Sequence, residues 1–496
     1  MERIRCESLM HKIMSAESAA KLIKNDSIVG TSGFTPAGYP KAVPIALAER
    51  VKNGEKIQID LITGASVGPE LDGILAESGV IRRRCPYQTN SPLRNLINSG
   101  KVQYNDMHLS HSAQQIKNGF LGKIDVAIIE AVAITENGGI IPSTSVGNSN
   151  VIIENAERVI VEINLSQPLE LEGIHDIYTV EKPPYTKSIS INKTSDRIGT
   201  TYIPCDINKI AAIVITDIED KTSSVTPINE PAKRMAENLI EFLNSEVKKK
   251  RLPKNLLPLQ SGVGSVANAV LGGLCKSDFK DLDFYSEVLQ DSALDLIDCG
   301  KLRSASAASL TISPQRLKSF YENISDYKDK ILLRPQEISN HPEIIRKLGI
   351  ISMNTAIEID IFGNVNSTHL MGGKMMNGIG GSGDFTRNAY ISIFTTESIA
   401  LGGKVSSIVP MVAHVDHTEH DVMIIITENG VADLRGLSPK ERAELIIENC
   451  AHNDYKEMLK DYYKRALQAT KGAHTPHILK EALSWHERFT QTGSMK

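Results

Sequence analysis

The chain has little cysteine, few aromatic side chains and no excess of either charge. Six cysteines are scattered over 496 residues with no CxxC pair, so the sequence predicts reduced, buried or incidental thiols and no disulfide framework. One tryptophan and 5% aromatics argue against a platform that stacks nucleic-acid bases. The 55 Lys and Arg stand against 59 Asp and Glu, a net charge of −4, which excludes a protein that holds nucleic acid by bulk charge. No apolar run approaches the ~20 residues of a membrane span. The charged start Met1-Glu2-Arg3-Ile4-Arg5 lacks the apolar stretch of a signal peptide. The expectation is a cytoplasmic protein with neither a nucleic-acid nor a membrane partner. Near-neutral charge still permits an anionic ligand gripped by backbone N–H groups and a few lysines.

Ordinary globular composition is what remains, 41% apolar and 23% charged, in a chain long enough for roughly two to four domains. Short β-branched runs recur at 27–31, 57–63, 125–131, 158–164 and 211–217, then at 282–285, 331–334, 349–354, 389–395, 407–412 and 422–427. Many are continuously apolar, as strands covered on both faces are. Helical patterns such as 44–52 and 439–448 lie between them, so the sequence predicts an α/β fold with mainly parallel sheets. Residues 355–369 carry Phe362-Gly363-Asn364 between apolar runs, a turn signal for an antiparallel hairpin. The polar, proline-bearing stretch 217–230 marks a boundary, giving domains 1–222 and 223–496. The run 246–251, rich in lysine, reads as the solvated end of the helix that follows this boundary.

Four constellations have chemistry to offer. In Gln260-Ser261-Gly262-Val263-Gly264-Ser265-Val266-Ala267-Asn268 a strand-like run enters a glycine loop and leaves on a helix. Such a loop brings backbone N–H donors close to a phosphate or a developing oxyanion, and it is equally well read as a tight turn. Asn377-Gly378-Ile379-Gly380-Gly381-Ser382-Gly383 offers a second set of backbone donors; its lone GxGxxG spacing lacks the preceding strand of a dinucleotide site. Glu287 closes an apolar run, where a carboxylate is costly unless paired or used. His414, His417 and His420, with interleaved acids, have the look of metal ligands or of a hydrogen-bonded polar turn.

Taken in this order, these pieces resemble the acetyl-CoA hydrolase/transferase family, a branch of the class I coenzyme A transferases that includes succinyl-CoA:acetate transferases. The resemblance rests on 260–270, 285–291, 334–343, 377–385, 408–420 and 427–436, with 32–40 near the start, and spans nearly the whole chain. It implies two similar open α/β domains with the active site in the cleft between them, and a homodimer. It also implies Glu287 as nucleophile, with backbone N–H groups of Val263 and Gly381 as oxyanion donors. Asn340 and Glu428 would orient the glutamate or a substrate carboxylate. Coenzyme A contacts would come from Ser261, Gly262, Val263, Gly264, Ser265, Asn377 and Gly381, and from the segment holding Leu401 and Lys404. Residues 33–39 would wall the acyl pocket. Coenzyme A and acyl-CoA enter as substrates, with no permanently bound cofactor, and the histidine segment becomes structural, with no metal. Leu401 departs from the pattern, since close relatives usually carry lysine there; either Lys404 substitutes or one electrostatic contact is weaker.

The implied reaction is transfer of coenzyme A from a short-chain acyl-CoA, succinyl-CoA first, to a carboxylate such as acetate. Hydrolysis of acetyl-CoA, and transfer to 4-hydroxybutyrate or butyrate, use the same glutamate. A nicotinamide dehydrogenase rests only on Gly378–Gly383, and a non-catalytic coenzyme A sensor is opposed by the intact Glu287 and both glycine loops.

Overall fold

A computed structural model describes residues 2–222, 227–262 and 264–496. It is an α/β protein whose chain falls into two compact units. The first unit carries a seven-stranded sheet. Its strands are β1 (Ile28–Thr31), β2 (Ile59–Ile62), β3 (Ile81–Cys85), β4 (Gln103–Tyr104), β5 (Ile124–Ala131), β6 (Ala156–Asn164) and β7 (Ile210–Thr216). They lie in the order β4-β3-β2-β1-β5-β6-β7, and every neighbouring pair is parallel. β5 and β6 are almost wholly buried, the expected fate of apolar strands sandwiched by crossover helices. The core of this unit gathers Val29, Leu47, Leu61, Leu71, Val126, Ile128 and Ile160.

The sequence places a division at 222/223, and the units part at 224/225. The remainder does not stay together, however: 283–297 and 302–348 belong to the first unit. Tertiary pairing explains this. Ser309, Pro335 and Leu333 form backbone bridges to Ser145, Gly147 and His175. Two buried ion pairs, Lys117–Glu337 at 2.7 Å and Arg334–Asp176, add charge-assisted links. In this later part of the first unit, Leu302–Ala307 pairs in parallel with Ile331–Leu333.

The second unit carries parallel strands Leu259–Ser261, Ile351–Thr355, Ile391–Thr395 and Ile424–Thr427 in that spatial order. The last turns back on itself as a hairpin with Gly430–Asp433. The predicted hairpin at Phe362-Gly363-Asn364 is present: Glu358–Asp360 pairs antiparallel with Val365–Asn366, and Gly363 takes φ +96°. The run predicted at 407–412 is a strand only over Ile408–Val409. Helix starts follow local chemistry. Asn229 accepts from the Ala232 N–H ahead of Glu230–Lys248, and Ser438 with Glu441 forms a reciprocal cap on Pro439–Cys450. No helix among the described residues is long and apolar enough to cross a membrane.

Candidate active site

Glu287 belongs to the first unit and lies between two short strands, Leu282–Tyr285 and Val288–Leu289. Its carbonyl accepts from the N–H groups of Ala308 (2.9 Å) and Ser309 (3.2 Å). Val288–Leu289 pairs in parallel with Ser309–Leu310, which is fastened in turn through Leu310 N–H to Thr144 O at 2.8 Å. The backbone carbonyl of the glutamate and the strand that follows it are thus fixed, while the residue is half-buried. Beside it, Val288 and Ala308 join Phe34, Ala65 and Leu109 in a small apolar cluster against which Tyr87 packs. Burial pushes the Tyr87 hydroxyl up, and the carboxylates of Asp106 and Glu287 add to that rise. Tyr87 therefore stays a neutral hydroxyl within reach of the Glu287 charge.

The 33–39 loop meets this neighbourhood through Thr35. Its hydroxyl reaches Ser309 Oγ at 3.2 Å and also Thr311 Oγ1. Thr35 is β-branched and precedes proline, yet sits at φ +58°, a conformation costing on the order of 1–3 kcal/mol. Strain of this kind concentrates at functional sites. Two stretches hold the loop in place. A Cβ on Gly64 would meet Gly33 O at 2.5 Å, so only glycine admits that approach. Below it, Lys41 Nζ bonds Glu130 at 2.5 Å, Asp220 at 2.7 Å and Tyr39 O at 2.8 Å, all fully buried. Asp220 also accepts from Gly38 N–H (3.1 Å) and Thr144 Oγ1 (3.0 Å). Burial raises the Glu130 carboxyl while Lys41 opposes the rise; paired with two carboxylates, Lys41 stays charged.

Asn340 is also in the first unit, completely buried after the Gln336–Ser339 turn of helix. Its Nδ2 donates to Gln336 O at 3.3 Å, and its Oδ1 has no partner among the described residues. Tyr285, two residues before Glu287, donates its hydroxyl to Ile338 O at 2.6 Å, which ties the glutamate's strand to this segment.

The remaining sequence-derived residues belong to the second unit. Val263 lies outside the described residues. Ser261 ends its strand, Gly262 N–H donates to Met353 O at 3.0 Å, and Gly264 takes φ +118° before the helix Ser265–Lys276. The glycine loop therefore opens onto a helix N-terminus, where unpaired N–H groups favour an anion. Gly381 occupies the matching place before the short helix Ser382–Asn388. Asn377 Nδ2 donates to Ser367 O (3.0 Å) and Gly378 O (2.9 Å), folding the loop on itself. Leu401 is 66% exposed at φ +50° and Lys404 is exposed three residues on. Glu428 sits in the hairpin turn after Ile424–Thr427, where it accepts from Ser398 N–H at 2.9 Å and from the Ser398 hydroxyl.

The histidine segment is a hydrogen-bonded turn. Asp416 accepts from Ser367 N–H (2.7 Å) and Thr368 Oγ1 (2.9 Å), and Val365 exchanges backbone bonds with His417. His417 Nε2 lies 3.2 Å from Ser382 Oγ, beside Gly381, and its ring packs on Phe394. His414 stacks on His369 with ring centroids 3.9 Å apart. The segment thus braces the second glycine loop. Sequence reasoning had no means of finding Tyr87, Ser309 or Thr311: none lies in a motif, and they reach Glu287 only through strand pairing, for Ser309 and Thr311, and tertiary packing, for Tyr87. Thr35 lay within the 33–39 loop, but its strained φ leaves no mark in sequence.

Known proteins resemble the chain along its whole length. Residues 2–215 match the model of the acetyl-CoA hydrolase/transferase N-terminal domain, and 317–463 match its C-terminal domain. The chain is 59% identical over its whole length to a Clostridium kluyveri protein named succinyl-CoA:acetate CoA-transferase, covering 92% of that protein. It is 47% identical, again over its whole length and 98% of the relative, to an acetyl-CoA hydrolase of Schizosaccharomyces pombe. Among solved structures, RipA from Yersinia pestis superposes with a TM-score of 0.70 at 24% identity, over 92% of this chain and 97% of that one. That last likeness concerns the fold alone.

Proposed function

The chain belongs to the acetyl-CoA hydrolase/transferase family and is an enzyme of the CoA-transferase type; from that premise we propose that it moves coenzyme A from succinyl-CoA to acetate through Glu287. The observation that carries the choice of substrates is the identity to a relative named for this reaction, higher than that to the hydrolase.

In this reading the Glu287 carboxylate attacks the thioester carbonyl, forming a mixed anhydride and releasing coenzyme A thiolate. The thiolate attacks the glutamyl carbonyl, giving a glutamyl-CoA thioester and free succinate. Acetate then attacks that thioester, and the steps reverse to acetyl-CoA. Anhydride and thioester intermediates keep the free energy of the starting thioester, which a serine ester would dissipate; hence a carboxylate nucleophile and ping-pong kinetics. Oxyanion charge in each step falls to the N–H groups of Gly381 and Val263. The loops at Ser261–Ser265 and Asn377–Gly381 contact coenzyme A, with Lys404 as a further contact. Asn340 orients the glutamate or a substrate carboxylate, and Glu428 acts through Ser398 as a positioning residue. Phe34, Thr35 and Tyr87 wall the acyl end. The reading includes a cytoplasmic homodimer that needs no resident cofactor.

Trapping provides the test. Incubation with succinyl-CoA and borohydride will reduce the glutamyl thioester, and mass mapping will place the change at Glu287. Glu287→Ala keeps the backbone carbonyl that accepts from Ala308 and Ser309 N–H, so it will fold, and it will lose transfer. Glu287→Asp withdraws the carboxylate by about one bond length, and a displacement of about 1 Å costs on the order of 10²-fold in rate. A label elsewhere, or activity kept in Glu287→Ala, overturns the assignment. Free-thiol release that proceeds unaffected by added acetate overturns the transferase reading in favour of hydrolysis.

A further inference from the structure

Cys275 and Cys299 are 24 positions apart in sequence, yet their sulfur atoms lie 2.7 Å from each other. No CxxC spacing or shared motif marks this pair in the sequence. Cys275 is in the last turn of the helix Ser265–Lys276, and Cys299 directly follows the helix Asp291–Asp298. Both belong to the second unit. The approach is built by neighbouring contacts: Lys301 Nζ donates to Ser277 O at 2.6 Å, fastening the segment after Cys299 to the end of the helix that carries Cys275. A disulfide bond of about 2.05 Å is reached from here by a shift of well under 1 Å.

Reactivity separates this pair from most of the other thiols. Burial pushes Cys85 up to about 11, Cys205 to about 11 and Cys450 to about 12, which keeps them from the thiolate form that reacts. Cys299 is exposed and Cys275 half-buried, so one sulfur is open to an incoming reagent and the second is in place to follow.

We propose that Cys275 and Cys299 are a reversible disulfide site, oxidised by a low-molecular-weight disulfide and independent of the transfer chemistry. The Cys299 thiolate attacks one sulfur of the small disulfide, forming a mixed disulfide and expelling one thiolate. The Cys275 thiolate then attacks the Cys299 sulfur and expels the second small thiol. Two protein thiols lose two protons and two electrons, and the small disulfide becomes two thiols. The ring so closed contains residues 276–298 and therefore Glu287. The chain leaves the second unit after Leu282 and rejoins it at Asp298, so the two cysteines anchor both ends of the excursion that carries the nucleophile. Closing a ring of this length restricts the unfolded chain and stabilises the folded one.

The test uses the full-length protein in glutathione disulfide at pH 8, quenched by alkylation. Reactive thiols counted under denaturing conditions will fall from six to four, and a peptide joining Cys275 to Cys299 will appear and vanish with dithiothreitol. The oxidised protein will keep its activity roughly tenfold longer on heating. Cys299→Ser and, separately, Cys275→Ser will abolish both effects while leaving the activity of the reduced protein unchanged. Glutathione retained on Cys299 with Cys275 still alkylatable, a cross-link between other cysteines, or a thiol count that stays at six overturns the site. A heating half-life equal in oxidised and reduced protein overturns the stabilising role.

Discussion

Replacing Lys41 by methionine removes the cation that pairs with two buried carboxylates, Glu130 and Asp220. Lys41 Nζ lies 2.5 Å from Glu130 and 2.7 Å from Asp220, and all three side chains are essentially inaccessible to water. Breaking a buried pair from one side costs about 3–5 kcal/mol because the other charge stays buried. Domains are stable by about 5–15 kcal/mol, so the first unit loses a large share of its margin. With Lys41 gone, nothing from that side opposes the burial that raises the Glu130 carboxyl, and Glu130 relieves the cost by taking up a proton. Its folded-state affinity for the proton then exceeds the unfolded one, so the folded variant binds more protons and its stability falls as pH rises. Each proton held only by the folded state changes stability by about 1.4 kcal/mol per pH unit. The deficit against the parent protein will be greatest at pH 8 and shrink by about 2–3 kcal/mol at pH 6. Urea unfolding at both pH values reads the total, and amide exchange in β1, β5 and β6 places the loss in the first unit. Methionine matches the lysine stem, so packing is nearly conserved. A loss under 1 kcal/mol at pH 8, or a deficit that grows on acidification, refutes the reasoning. Because Asp220 also holds Gly38 and Thr144, transfer by the surviving folded protein will slow as well.

Two further outcomes follow from other residues. His175 is fully buried, its Nε2 lies 2.8 Å from Ser143 O, and burial lowers it to about 4. Unfolding returns it to about 6.5, so stability from the neutral ring is complete above 6.5 and is lost as pH falls toward 4, about 3 kcal/mol in all; His175→Asn will flatten the acid limb of an unfolding-versus-pH curve, and an unchanged slope refutes the assignment. Leu401→Lys adds one exposed cation beside Lys404, and the KM for succinyl-CoA will fall about two- to fivefold at low salt with kcat unchanged, an effect that 0.5 M salt removes; a KM that does not move excludes this segment from coenzyme A binding.

Local chemistry in the sequence settled a good deal. Continuous apolar runs announced β5, β6 and the parallel strands of the second unit, because a strand covered on both faces has no polar side to show. Phe362-Gly363-Asn364 announced its hairpin, and the glycine loops announced donors at helix starts, since only glycine takes φ +118° without strain at position 264. Polar strands escaped. β3 reads Ile-Arg-Arg-Arg-Cys, and its burial depends on Arg84 meeting Asp72 at 2.9 Å, a pairing no local pattern reveals.

What sequence determined by itself is the family, the α/β class and the identity of the candidate nucleophile, all of which rest on residue types in order along the chain. The assignment of 283–297 and 302–348 to the first unit was decided only in three dimensions. There the bridges to Ser145, Gly147 and His175, and the buried Lys117–Glu337 pair, outweigh proximity in sequence. The company Glu287 keeps, with Tyr87 and the strained Thr35, and the meeting of Cys275 with Cys299 were decided the same way. Each joins residues that lie far apart along the chain, and contacts of that kind exist only once strands have paired and helices have packed.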